Sequence, residues 1–289
     1  MKKQFIFLLT YFTLFISCKK DKKVIDDPHQ GTISIAVDES FKSVSEALTQ
    51  RYMALYPESK LNLIIKKEDL AFIDLLENKV RVIVMSRDLS EKEKKGFKDR
   101  IGLNIQPAKF AADAVVFVVP KNSPKEFISL EEITKELHSD AKRIIFDGTN
   151  SSNLNFVAQK LDSTPDQLKF SIISGNKNIL KEINQYPDKI GVIGLNTISR
   201  PYDQESENLR NSVKILPVVS NNVTYNVDIE NIKSMRYPFT RVLYFLTNEA
   251  YYGLGNGFIR FSCQHLGQIV VEKEGLQPYN IFKREVQMH

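Results

Sequence analysis

The chain has 289 residues, 42% hydrophobic and 26% charged, with 12 glycines and 11 prolines. A packed core is therefore within reach, and disorder, collagen-like repeats and low-complexity polymers are excluded. Two cysteines exclude a disulfide scaffold, and a formal charge of +5 with bases and acids interleaved offers no concentrated basic face for nucleic acid.

Met1-Lys2-Lys3 is a short basic start, and Phe5 to Ile16 is an apolar run broken by threonines. That run is shorter than the ~20 residues a membrane-spanning helix needs, and it suits the apolar region of an export signal. Ser17-Cys18 at its end resembles a bacterial lipobox. The resemblance implies a signal peptide over residues 1–17 and a lipidated Cys18 as the first residue of the mature protein. Residues 18–30 are polar and strongly charged, as a flexible tether should be. The expectation is an exported, membrane-anchored lipoprotein of the bacterial cell envelope.

From Gly31 the pattern alternates. Ile33 to Val37 reads as a strand, followed by a turn at Asp38-Glu39-Ser40. A helix follows, with Phe41, Val44, Leu48, Tyr52 and Leu55 on one face, and it stops at Pro57. Leu61 to Ile65 is the next strand, Glu68 falls in a short loop, and a helix runs from about Ala71 to Asn78. Val80 to Met85 is a third strand ending at Ser86-Arg87-Asp88, and Ser90 with Glu93 forms a capping box for another helix. This β-α-β-α-β order predicts an open, mostly parallel sheet flanked by helices. Ligands in such sheets bind beyond the carboxyl ends of the strands. Ser40, Glu68, Ser86 and Arg87 each follow a strand.

A second unit opens with the apolar run Ala114 to Pro120, suited to a strand buried on both faces. Ser129 and Glu132 form a second capping box. Arg143 to Phe146 is a strand running into Asp147-Gly148-Thr149-Asn150-Ser151-Ser152-Asn153, ahead of a helix with Leu154, Val157, Ala158 and Leu161 on one face. A strand, a turn of small hydroxyl and amide residues and a helix start form an anion cradle, although each such residue is also an ordinary helix cap.

Catalytic signatures are missing. There is no Gly-x-Ser-x-Gly, His-Glu-x-x-His, P-loop or Cys-x-x-Cys, and the four histidines show no ligand spacing. Cys263 is expected to be a buried, inert thiol. The glycines of Gly253-Leu254-Gly255-Asn256-Gly257 miss the dinucleotide spacing and read as a turn before a helix. No enzyme activity, cofactor or metal is expected.

Several ordered segments resemble the phosphate-binding proteins of phosphate ABC transporters, within the type II periplasmic substrate-binding superfamily. They are Val84 to Glu93, Ala111 to Val119, Pro187 to Gly194, Tyr237 to Tyr244, and Gly257 to Phe261 with Gly267 to Val270. The resemblance implies an α/β two-lobed clamp with a two-stranded hinge. Residues 31–113 with 221–289 would form the first lobe and residues 114–220 the second. It also implies a monomer that binds inorganic phosphate between the lobes and delivers it to an ABC permease in the membrane. The implied phosphate residues are Ser40, Phe41, Glu68, Ser86, Arg87, Ser151, Ser152 and Asn153. Glu68 would accept the proton that phosphate still carries and sulfate lacks, and Arg87 would offer its fork. The first turn departs from the family by carrying Asp38-Glu39 where small residues are usual, and the 147–153 loop lacks an arginine. Another oxyanion, a phosphorylated small molecule, or a sensory lipoprotein docking to a partner remain the alternatives.

Overall fold

The computed structural model describes residues 27–280. The signal-peptide reading, Cys18 and most of the tether lie outside the described residues. Alternating apolar strands and one-faced helices produce the expected first unit. It comprises β1 (Gly31–Val37), a 3-10 turn (Glu39–Phe41), α1 (Lys42–Leu55), β2 (Ser59–Ile65), α2 (Glu68–Leu76), β3 (Val82–Met85) and α3 (Glu91–Ile101). Strand β1 pairs in parallel with both β2 and β3. Helix α2 begins three residues earlier than expected, so Glu68 is its first residue and not a loop acid. The helix dipole favours acids in a first turn, and both Glu68 and Asp69 sit there.

The hinge strand β4 (Ala108–Pro120) has thirteen residues and serves two sheets. Its first half pairs antiparallel with β12 (Thr240–Thr247), and its second half pairs with β8 (Ile190–Gly194) and β9 (Val213–Leu216). A strand buried along this length needs apolar side chains on both faces, and Phe110 to Val119 supplies them except at Asp113. The first-lobe sheet is ordered β2-β1-β3-β12-β4. The second continues β4-β8-β6-β7, with β6 (Ile144–Phe146) and β7 (Ser171–Ile172) parallel to β8 or to each other.

Helices α4 (Leu130–Leu137), α5 (Ser152–Lys160), α6 (Asn176–Glu182) and α7 (Gln204–Asn211) belong to the second unit. Ser129 caps α4, but Glu132 does not reach back to complete the expected box; its carboxylate is held by Lys125. The Ser90–Glu93 box is complete. The chain returns to the first lobe later than residue 221. Ile232, Tyr237 and Phe239 belong to the same core as Val115 to Val119, and the Tyr237 hydroxyl donates to the Val115 carbonyl at 3.1 Å. Packing therefore assigns residues 223–239 to the second lobe and puts the second crossing at Phe239-Thr240. Helices α8 (Ile229–Lys233), α9 (Leu254–Cys263) and α10 (His265–Lys273) complete the helical set. The glycines at 255 and 257 lie inside α9, whose first N–H groups are held by the Glu249 carboxylate at 2.9 Å. Among the described residues no helix is long and apolar enough to cross a membrane.

Candidate ligand-binding site at the lobe seam

The carboxyl ends of β1, β2 and β3 in one lobe and of β6 and β8 in the other converge on a single seam. The turn after β1 makes its centre. Asp38 is fully buried, and its Oδ1 accepts the Ser40 N–H at 3.0 Å. Its Oδ2 accepts two more backbone N–H groups, from Glu68 at the start of α2 (3.2 Å) and from Ser152 at the start of α5 (3.1 Å). One carboxylate oxygen thus bridges helix N-termini from opposite lobes.

Glu68 is fully buried. Its Oε1 accepts from the Ser86 N–H (2.7 Å) and hydroxyl (2.8 Å), while Oε2 has no hydrogen-bond partner and lies 3.4 Å from Arg87 Nε. Burial pushes the Glu68 carboxyl above the usual carboxylate range, against the opposing pull of Arg87 and Ser86. A raised folded pKa stabilises the protein below the unfolded value near 4.5, and that contribution is lost as pH rises through the folded value. Unfolding free energy should therefore decline in this window, and Glu68→Gln should flatten the decline in urea denaturation run from pH 4 upward. An unchanged pH slope in the variant would refute this role for Glu68.

Arg87 does not present the open fork expected of it. Its Nη1 and Nη2 bind both oxygens of Glu93 at 3.0 and 2.7 Å, and Nη2 also meets Asp69 at 2.9 Å. Burial pulls its pKa down, but these acids outweigh burial and hold the guanidinium more firmly charged. Ser151 is the α5 cap, accepting from the Leu154 N–H and donating to the Gly148 carbonyl. Asn153 donates to Asp147 (3.1 Å) and Asn176 (2.9 Å). Ser40 accepts from Asn176 across the seam at 3.1 Å.

The arginine that does reach the seam is Arg241, on β12. Its Nε and Nη2 bind Asp113 at 2.9 and 2.8 Å, its guanidinium lies 4.6 Å from the centre of the Phe41 ring, and its Nη1 has no partner. It is 1% exposed. A cation in the otherwise apolar strand Thr240–Thr247 is the signal that could have singled it out, since a buried charge requires a partner. Lys67, paired with Asp147 across the seam, and Asn176 were also missed. Asp38, Glu39, Glu68 and Asp147 thus face Lys67, Arg87 and Arg241. Burial raises the Glu39, Glu68 and Asp147 carboxyls above the usual carboxylate range.

A cavity of about 330 Å³ lies on the Arg87 side of the seam, lined by Asp69, Arg87, Glu93, Asn155 and Gln159 among others. A larger one, about 680 Å³, lies behind the hinge against Ile232, His265 and Leu276, away from these polar groups. The charged side chains of Asp69, Arg87 and Glu93 converge on the smaller one. Cys263 is half-buried, and burial pushes its thiol up to about 11. Among the described residues no cluster of His, Cys, Asp or Glu is arranged to hold a metal ion.

Two α/β lobes joined by paired crossing strands, with buried polar groups from both at the seam, form a two-lobed clamp. The model of the PBP superfamily domain matches residues 23–264, and the chain belongs to that superfamily. Among solved structures, it is similar to a protein from Clostridium perfringens described as a phosphate ABC transporter substrate-binding protein with bound phosphate. Identity is 19% and the TM-score 0.70, over 86% of this chain and 100% of that one. An ABC-type phosphate transport receptor from Vibrio cholerae matches at 13% identity and TM-score 0.65, over 86% and 100%. The regulatory domain of OxyR2 from Vibrio vulnificus matches at 10% identity and TM-score 0.53, over 86% and 97%. These likenesses show the fold. No curated protein matches the sequence.

Proposed function

We propose that the chain is an exported solute-binding protein that captures inorganic phosphate at the lobe seam and presents it to an ABC permease. The observation that carries the reading is a set of buried polar atoms without hydrogen-bond partners: Glu68 Oε2, Ser152 Oγ and Arg241 Nη1. They come from α2, α5 and β12, and all three side chains stand beside the Ser40–Asp38 turn. Glu68 and Ser152 bind Asp38 through their N–H groups. Arg241 Nη2 and Ser40 Cβ both lie against Gly194.

Unsatisfied buried groups cost about 1–3 kcal/mol each, more when charged. A tetrahedral anion bearing one proton answers all three atoms: the guanidinium and hydroxyl donate to its oxygens, and its proton meets the carboxylate. Sulfate would leave Glu68 facing an oxygen with no proton between them. The solutes named for the Clostridium and Vibrio proteins support the same class of ligand. A binder accords with the lack of a nucleophile–base pair in the sequence. The lipobox-like Ser17-Cys18 completes the reading as a lipoprotein held to the membrane outside the cytoplasm, acting as a monomer.

Calorimetric titration of the purified protein at neutral pH tests this. Phosphate should give a saturable heat and sulfate none. Equal responses to both would remove the proton-acceptor role of Glu68, and silence with both would remove the phosphate reading.

A further inference from the structure

The lobes meet through the polypeptide's own charges. Asp38 Oδ2 accepts one N–H from the first helix turn of each lobe. Glu39, the next residue, has its carboxylate against Gly175 of the second lobe, 3.0 Å from where a Cβ would stand, just ahead of the start of α6. Helix α6 has no side-chain cap of its own. Around these two carboxylates the seam is laced by Lys67–Asp147 (2.5 Å), Asn155–Asp69 (2.7 Å) and Asn176–Ser40 (3.1 Å). Gln159 adds a reciprocal pair to the Asp88 backbone, at 3.0 Å in each direction.

Closing two lobes over empty helix N-termini would bury N–H donors without acceptors. An anion at that point removes the penalty and gains from the partial positive charge of the helix ends. Here the anion is part of the chain. A carboxylate is planar and has two oxygens, so it cannot also reach Arg241 Nη1 and Ser152 Oγ, which stay unpartnered. A four-oxygen anion would reach them.

We propose that the Asp38-Glu39 turn is the resident ligand of this seam: it closes the clamp without solute, and an incoming anion must displace it. The closure does not depend on which anion binds; the identity of the displacing anion rests on the phosphate reading above. The turn acts as a threshold. Solute gains the extra partners but must break the Asp38 bonds, so affinity is lower than the donor set alone would give, and the closed shape does not by itself report solute.

Small-angle scattering and calorimetry on the wild-type protein and on the D38A/E39A variant test it. The wild type should show the same radius of gyration with and without phosphate. The variant should be wider without phosphate, contract on its addition, and bind it roughly tenfold to a hundredfold more tightly, the equivalent of one or two charge-assisted hydrogen bonds. A wild type that contracts on phosphate, or a variant as compact as wild type without it, would overturn the proposal. A variant that widens yet binds no phosphate upholds self-closure while removing the phosphate reading. If the alanine variant does not fold, D38N/E39Q preserves shape, removes the charges and carries the same expectations.

Discussion

Arg241→Met is expected to lower stability by about 3–5 kcal/mol, because it leaves Asp113 as an uncompensated buried charge. Both side chains of this pair are fully buried, and the guanidinium also rests on the Phe41 ring. Urea denaturation measures the loss. The double variant D113N/R241M separates folding from binding. Asparagine keeps the oxygen that accepts the Asn196 N–H at 3.1 Å, and the unpaired charge is gone. Most of the stability should return, since a buried ion pair replaced as a unit is close to neutral. Phosphate binding should not return, because Nη1 is lost with the arginine. A double variant that binds phosphate as well as wild type would show that Arg241 serves the fold alone.

Gly194→Val should hold the lobes apart. Gly194 ends β8 in the second lobe, and a Cβ there would lie 2.8 Å from both Arg241 Nη2 and Ser40 Cβ of the first. Ser40 is fully buried, and its Cβ cannot swing aside. Overpacking of this kind costs about 1–3 kcal/mol, and when it falls on closure it reads as a loss of roughly tenfold to a hundredfold in affinity. The radius of gyration should rise while each lobe keeps its own core. Unchanged scattering together with unchanged phosphate affinity would mean that the seam absorbs the added methyl groups and that Gly194 does not set the closed distance.

The fold was legible because its signals are local. Apolar runs at Ile33–Val37, Val82–Met85 and Val115–Val119, and the one-faced helix from Val44 to Tyr52, declare their periods within a few residues. The strand–turn–helix pattern singled out Ser151 and Ser152, and the carboxyl-end rule singled out Ser40, Glu68, Ser86 and Arg87, as candidates for ligand contact. The carboxyl-end rule overreached at Arg87. The Glu93 that completes the Ser90 capping box also lies within reach of that guanidinium, and a capping pattern does not show where the second face of its carboxylate points. Arg241 went unassigned for the opposite reason. Its partner Asp113 is 128 residues away in the chain, and only the β4–β12 register puts the two opposite each other.

By itself the sequence determined the alternation of strand and helix, the buried strand over 114–120, the capping serines 90 and 129 and the type of chemistry available at each strand end. These follow from side-chain size, polarity and backbone preference over short stretches. Tertiary structure alone decided which charges meet. It turned Asp38 and Glu39 into the seam, closed Arg87 with acids, and brought Arg241 beside Ser40. The energy of a charge depends on its nearest partner and on how completely water is excluded, and both are set by residues far away in the chain.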